Sequence, residues 1–302
     1  MPEKVRVRVD GRQLTLTNLG KVLYPEAGFT KAEVIDYYTR VAPFLLPHIS
    51  GRALTVKRYP EGVDGPFFFE KNRPAHTPSW VRTARLPAPG STKGRETIEY
   101  AIVDDLPTLV YFAGLAALEL HTPMWRVDDE GRPRPPDTMV FDLDPGAPAT
   151  IVECRRVALR LREALGEDGL DGRPKTSGNK GMQVYVPWSH REEDPSAYAR
   201  ALARRLEKER PDEIVSLMAR KLRPGKVFID WSQNNPAKTT VAPYSLRANR
   251  LPSVSTPLTW EEVEELRRPE EFVFTAPDVL ERVGRFGDLM APPERGPDTG
   301  GP

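Results

Sequence analysis

Three observations predict an α+β fold with sheets and helices in layers. Strand-like runs follow one another directly in the first third of the chain, yet strand, helix and strand alternate later, so hairpins and crossover helices coexist. Two capping boxes, Thr30-Lys-Ala-Glu33 and Thr150-Ile-Val-Glu153, open runs with apolar residues at helical spacing. No G-x-G-x-x-G follows the first strand and no G-x-x-x-x-G-K-[ST] occurs, which argues against dinucleotide and P-loop folds.

The elements follow in order. Met1 to Val9 alternates charge with valine, a strand pattern and not the continuous apolar run of a signal peptide. Behind Thr30 a helix is expected over about 31–46, with Val34, Tyr37, Tyr38, Val41 and Leu45 on one face. Residues 53–58, 66–70 and 79–103 read as strands, the last around the loop Pro87 to Gly94, with Arg85, Lys93 and Arg95 nearby. Asp105 and Pro107 open an apolar helix expected to run to Leu120 and end at His121. The proline-rich stretch 132–136 leads to a strand over Met139-Val-Phe-Asp-Leu-Asp-Pro145, and Thr150 caps a helix to about Leu165. Lys175 to Gly181 reads as a loop, Met182 to Val186 as a strand and Pro195 to Glu209 as a helix capped by Asp194. A shorter helix to about Leu222, a strand Val227 to Trp231, and an acidic helix capped by Thr259 complete the order. The tail from Ala291 is rich in Pro and Gly and reads as disordered.

Composition sets limits. With 302 residues, 39% hydrophobic and 29% charged, the chain can build one large or two medium domains with a real core. A net charge of +1 means that any footprint for nucleic acid must be local. The one cysteine, Cys154, lies in a helical run and reads as core, and a reducing compartment fits. No stretch approaches the ~18 apolar residues of a membrane span, so a cytoplasmic protein with no membrane partner is expected.

Chemistry concentrates in five places. In a strand, residues two apart share a face, so Asp142 and Asp144 converge on one volume, where paired anions favour a hard divalent cation. The alternative is a solvated strand end before Pro145-Gly146. Lys175-Thr-Ser-Gly-Asn-Lys-Gly-Met-Gln183 carries Ser177, Lys180 and two glycines; such a loop forms a nest for phosphate, or is simply a basic turn. Phe228-Ile-Asp-Trp231 sets Asp230 in an apolar strand, where an unpaired charge is costly. Ala242-Pro-Tyr-Ser-Leu-Arg247 presents an arginine after a rigid turn, and Lys57-Arg58 ends another strand. Together they suit metal-assisted handling of a triphosphate, in which two cations ~4 Å apart clamp the attacking and leaving oxygens.

The succession F-D-L-D-P, T-S-G-x-K-G, F-I-D-W-x-Q and A-P-Y-S-x-R resembles the polymerase domain of bacterial ligase D, an end-joining primase-polymerase of the archaeo-eukaryotic primase superfamily. The match runs from about Leu19 to Asp288 and includes Lys31 to Tyr38, Thr55 to Pro60 and Phe67-Phe-Phe-Glu-Lys71. It implies a primase-polymerase fold of two β-sheets flanked by helices. An N-terminal module over about 1–136, a metal-bearing module over about 137–290 and a disordered tail over 291–302 are expected.

By the same resemblance, Asp142, Asp144 and Asp230 hold two divalent ions, with Mn²⁺ favoured over Mg²⁺. Lys57, His121, Ser177, Lys180, Gln183, Arg223, Gln233 and Arg247 contact the incoming nucleotide or the metal site. Asn18, Lys21 and Lys31 hold a 5′ phosphate across a gap, Lys31 at a helix N-terminus where the dipole adds to its charge. Phe68 and Phe69, with Lys71, stack against template bases, although a triple phenylalanine is more often core. The loop Pro87 to Arg95 and the segment Arg223 to Lys226 position the primer strand. The implied activity is template-dependent, ribonucleotide-favouring nucleotidyl transfer from NTP or dNTP onto gapped or broken DNA. An ATP-dependent DNA ligase and a Ku-type end-binding protein are the implied partners, in a bacterial, nucleoid-associated setting.

Two departures stand out. Gln183 occupies a position where that family carries histidine, which implies weaker nucleotide affinity or a shifted pH profile, since glutamine cannot become cationic. The link from His121 to Asp142, with Met124-Trp125, is longer than usual. Other D-x-D users fit less well. A haloacid-dehalogenase phosphatase places the pair on its first strand, and a nucleotide-sugar transferase has no need of Lys31 and Phe68-Phe69. A non-catalytic module that recognises gapped DNA and recruits a ligase would not require all three acids.

Overall fold

A computed structural model describes residues 4–88, 94, 96–188 and 193–291. The tail over 292–302, most of the expected loop over 87–95, with Lys93 and Arg95, and the first three residues lie outside these.

Two sheets organise the chain. A five-stranded sheet runs in the spatial order Arg173–Thr176, Met182–Pro187, Thr138–Pro145, Val227–Asp230, Ile214–Val215. A four-stranded sheet runs Thr240–Val241, Ala117–Thr122, Thr55–Arg58, Phe68–Glu70. Period-two alternation sorts the first sheet into an apolar and a chemical face. Met139, Phe141 and Leu143 join a core with the helices Ile151–Glu167 and Pro195–Glu209, which leaves Val140, Asp142 and Asp144 on the other side. The second sheet sorts likewise: Val56, Leu118 and Leu120 enter a second core with the helices Lys31–Ile49 and Leu106–Gly114. Both ends of the sequence build that core, since Ala242, Tyr244 and Leu246 and the helix Ala276–Phe286 join it.

The expected capping boxes at Thr30, Thr150 and Thr259 are present. Three expectations require correction. The apolar helix stops at Gly114, and Ala117–Thr122 is a strand. Ala116 turns the chain at φ +58°, and the A-L-E-L-H-T run alternates because Leu118 and Leu120 are buried in one layer while Glu119 and His121 face the other. Lys175 lies in the strand Arg173–Thr176, pulled out of the expected loop by pairing with Met182–Pro187. The expected helix before Leu222 is instead the short strand Ile214–Val215, parallel to Val227–Asp230, followed by one turn of 3₁₀ helix. No helix among the described residues is long and apolar enough to cross a membrane.

Candidate active site

Register builds the face that carries the candidate catalytic residues. Asp142 is the direct antiparallel partner of Asp230 on one side and of Gln183 on the other, and Gln183 is the partner of Lys175. Directly opposed residues share a face at ~4.5–5.5 Å, so one lateral row reads Lys175, Gln183, Asp142, Asp230. Asp144 stands two residues along the same face. Burial raises the Asp142 carboxyl well above its ordinary range, and the neighbouring Asp144 and Asp230 charges add to this. Asp144 is raised by desolvation and then by Asp230. Carboxylates that resist ionising together fit a hard divalent cation as the missing charge.

The acids are not drawn into a finished cage: among the described residues, no group of three or more His, Cys, Asp or Glu side chains is gathered in a metal-holding arrangement. Asp230 explains why. Its Oδ1 accepts from the Ser232 amide at 3.0 Å and hydroxyl at 2.5 Å, its Oδ2 accepts from Gln233 Nε2 at 3.0 Å, and Lys238 Nζ stands 3.7 Å away. Lys238 also donates to Ser232 Oγ. Gln233 thus bonds directly to Asp230, and Lys238 is an addition that the motif gives no reason to notice.

Gln183 occupies a different position from the one its motif suggests. Its Oε1 accepts from Lys175 Nζ at 2.5 Å and its Nε2 donates to Asp142 Oδ1 at 3.0 Å, so both ends of the amide are engaged within the protein. Lys175 is fully buried, also donates to Ser255 Oγ at 2.5 Å, and burial pushes its pKa well below the ordinary lysine range despite the Asp142 charge. Gln183→Leu leaves Lys175 and Asp142 each short of a partner, and a loss of about 2–4 kcal/mol in urea unfolding is expected. A loss below about 0.5 kcal/mol would mean that the chain of bonds carries no stability.

In the four-stranded sheet, Glu119 gathers three of the expected nucleotide contacts. Lys57 is its cross-strand partner with Nζ at 3.8 Å, His121 Nε2 donates to it at 3.0 Å, and Arg247 stands at 3.5 Å. Burial opposes ionisation of Glu119, but the His121 hydrogen bond and the Arg247, His121 and Lys57 charges prevail and hold it at about 2. Burial lowers the His121 pKa, against the pull of Glu119. Arg247 reaches this cluster because Tyr244 reverses the chain at φ +64°, held by Tyr37 Oη on its carbonyl at 2.8 Å and Asp288 on its hydroxyl at 2.8 Å. The Nε of Arg247 is buried with no acceptor among the described residues.

Glycines press the remaining parts together. A Cβ on Gly178 (φ +70°) would meet Arg247 Cγ at 2.5 Å, and one on Gly181 would meet the Leu143 carbonyl oxygen at 2.1 Å. The Ser177 loop therefore lies directly on the D-x-D strand and against Arg247. Ser177 Oγ accepts from the amides of Asn179 and Gly181 at 3.3 and 3.1 Å, and Lys180 is exposed. On the other flank a Cβ on Gly146 would meet the Arg223 carbonyl oxygen at 2.0 Å, which sets Arg223 beside Asp144.

Two further groups of the expected residues lie elsewhere on the chain. Phe67, Phe68 and Phe69 are 50%, 44% and 56% exposed, so the run is surface and not core. Lys57 Nζ lies 4.0 Å from the Phe67 ring, and Phe68, Phe69, Lys71, Tyr100 and Trp125 line a cleft of about 810 Å³. Asn18, Lys21 and Lys31 are joined by the backbone: Lys21 N donates to Asn18 O at 3.0 Å and Lys31 N to Lys21 O at 2.8 Å. Lys31 is buried, with Nζ on Thr17 O at 2.9 Å, and its pKa is lowered by burial and then by the Lys21 and Arg58 charges. Lys21 pairs with Glu61 at 2.6 Å.

Comparison with known proteins fits this arrangement. Residues 30–290 match the family model described as LigD, primase-polymerase domain. The chain belongs to the LigD primase-polymerase domain family. Among curated LigD relatives, the multifunctional non-homologous end joining protein LigD of Mycolicibacterium smegmatis is 42% identical over 93% of this chain and 36% of its own length. The bifunctional non-homologous end joining protein LigD of Bacillus subtilis is 32% identical over 91% of this chain and 43% of its own. The chain thus spans less than half the length of these LigD proteins. The polymerase domain of Mycobacterium tuberculosis ligase D, solved in complex with DNA, superposes with a TM-score of 0.85 at 41% identity, covering 91% of this chain and 96% of that one. Membership in the LigD domain family makes this a nucleotidyltransferase-type enzyme of a class that uses divalent metals.

Proposed function

We propose that this domain adds nucleotides, with a preference for ribonucleotides, to the 3′ end of a gap or break in DNA, directed by the opposite strand. The observation that carries the reading is the row in which Asp142 and Asp230 are cross-strand partners with Asp144 on the same face, beside a glycine-pressed Ser177 loop. Asp142 and Asp144 would hold divalent ions, Mn²⁺ or Mg²⁺, with Asp230 completing the set once freed from Ser232 and Lys238. When bound, such ions supply Lewis-acid charge at the attacking and leaving oxygens.

The chain's own groups divide the remaining work. Ser177, the loop amides and Lys180 form the cradle for the outer phosphates, and Arg247, whose Nε lacks an acceptor, presents a donor toward the same volume. Lys57 and Arg247, both anchored on Glu119, offset charge that develops on the phosphoryl group. His121, whose pKa burial lowers, contributes a hydrogen bond through its ring. Gln233 orients Asp230, and Arg223 offsets Asp144. Phe68 and Phe69 offer exposed rings to template bases, each stack contributing about 1–3 kcal/mol.

Asn18, Lys21 and Lys31 would receive the 5′ phosphate across the gap, with Lys21 exchanging Glu61 for it. The relatives' names and the DNA in the mycobacterial structure support a role in end joining, with a ligase and a Ku-type protein as partners. Extension of a 5′-phosphorylated gapped duplex, with ribo- and deoxyribonucleotides in Mn²⁺ or Mg²⁺, tests the reading; no incorporation in any condition would overturn it. Removing the 5′ phosphate is expected to weaken binding roughly tenfold, about 1.4 kcal/mol, and Lys21→Ala to erase that difference. Unchanged discrimination in Lys21→Ala would remove this lysine from the pocket.

A further inference from the structure

The strands Lys4–Val9 and Arg12–Thr17 form a hairpin that no catalytic role explains. Its register pairs Lys4 with Thr17, Arg6 with Thr15 and Arg8 with Gln13 on one face, and Val5 with Leu16 and Val7 with Leu14 on the other. The apolar face docks on the second core, the one with the helices Lys31–Ile49 and Leu106–Gly114, where Leu14 and Leu16 are buried. The outer face carries three cations, three neutral polar residues and no acid. Lys4, Arg6 and Arg8 are exposed and take part in no ion pair among the described residues. The chain as a whole balances 44 basic against 43 acidic residues, so this strip is a local excess.

Position gives the excess a direction. Thr17, the partner of Lys4, holds Lys31 Nζ through its carbonyl at 2.9 Å, and Asn18 and Lys21 follow at once in sequence. The strip therefore starts beside the candidate 5′-phosphate pocket and steps away from it. Residues two apart on a strand are about 6.8 Å apart, close to the step between neighbouring phosphates along one nucleic-acid strand. We propose that the outer face of this hairpin is a backbone rail for the DNA strand downstream of the gap, with Lys4, Arg6 and Arg8 contacting successive phosphates beyond the 5′ end. The inference rests on the gapped-DNA reading above. It adds a surface that reads no sequence and sets how much downstream duplex the domain grips.

Salt dependence tests it, because each phosphate contact adds about 0.9 to the slope of log affinity against log salt. Binding is measured by fluorescence anisotropy on gapped duplexes with a short or a long downstream arm. For the protein with Lys4→Gln, Arg6→Gln and Arg8→Gln together, the slope on the long arm is expected to fall by about 2–3 relative to the unmodified protein, with a several-fold loss of affinity at moderate salt. On the short arm the change should be under one contact's worth. Thr15→Arg, which adds a cation to the same face, should raise the long-arm slope by about one. Equal slopes for all three proteins would overturn the proposal and leave the cations as guards of an exposed strand edge. An equal loss on both arms would also overturn it, as a general field effect. Indifference of the unmodified protein to the 5′ phosphate would instead reject the pocket, and the arm comparison would still decide the rail.

Discussion

Asp142→Asn is expected to abolish primer extension, by at least about 10²–10³-fold, while the metal-free protein melts no lower than the unmodified one above neutral pH. The two effects come from one cause. Burial, Asp144 and Asp230 raise the Asp142 carboxyl above its ordinary value. A carboxyl whose folded pKa is raised favours the fold while protonated, fully so below its unfolded pKa, and that contribution is lost as pH climbs through the folded value. Near and above neutrality the apo fold therefore carries an uncompensated ionised carboxylate, which a bound divalent cation relieves. Asparagine keeps an oxygen for Gln183 and removes the charge, so the pH-dependent loss disappears together with the cation site. Thermal melts in chelator from acid to mildly alkaline pH, beside extension assays and DNA-binding titrations, separate these effects. Preserved extension would refute the catalytic role, and a markedly lower melting point would refute the electrostatic account.

Gly181→Ala is expected to cost about 1–3 kcal/mol of stability and to raise the apparent KM for nucleotide more than it lowers kcat at saturation. The added Cβ would stand 2.1 Å from the Leu143 carbonyl oxygen and 3.3 Å from Pro145 Cδ. Neither can yield easily, since Leu143 lies between the two acids on a central strand. The Ser177 loop must then lift from that strand, which separates the proposed phosphate cradle from the acids proposed to hold metal. Urea unfolding with steady-state kinetics in saturating Mn²⁺ measures both. Kinetics like those of the unmodified protein would show that the loop functions without this close contact.

Much of this was legible along the chain because the signals are short-range. Capping boxes at Thr30, Thr150 and Thr259 act within one helical turn, and the odd-even split of Met139 to Asp144 is local strand geometry. The helix expected through Leu120 shows where local signals end. A continuous apolar run reads as helix until partners are known, and only pairing with Thr55–Arg58 and Thr240–Val241 makes Ala117–Thr122 a strand. Glu119 was invisible for the same reason, since its part in bringing Lys57 and Arg247 to the His121 of its own strand comes from elements far apart in sequence.

Lys175 illustrates the division most clearly. As a sequence it belongs to a basic loop; as a strand residue it is fully buried, and it holds Gln183 so that the amide donates to Asp142. Sequence alone determined which acids share a face, where a phosphate loop can form and which family the chain resembles, because each depends on residue type and spacing of two to eight positions. Tertiary structure decided which groups are free for substrate and which are already engaged. The hydrogen bonds of Gln183 and the ion pairs of Glu119 with Lys57 and Arg247 join segments far apart in sequence, where register and packing set the partners, whereas Asp230 is held within its own turn by Ser232 and Gln233.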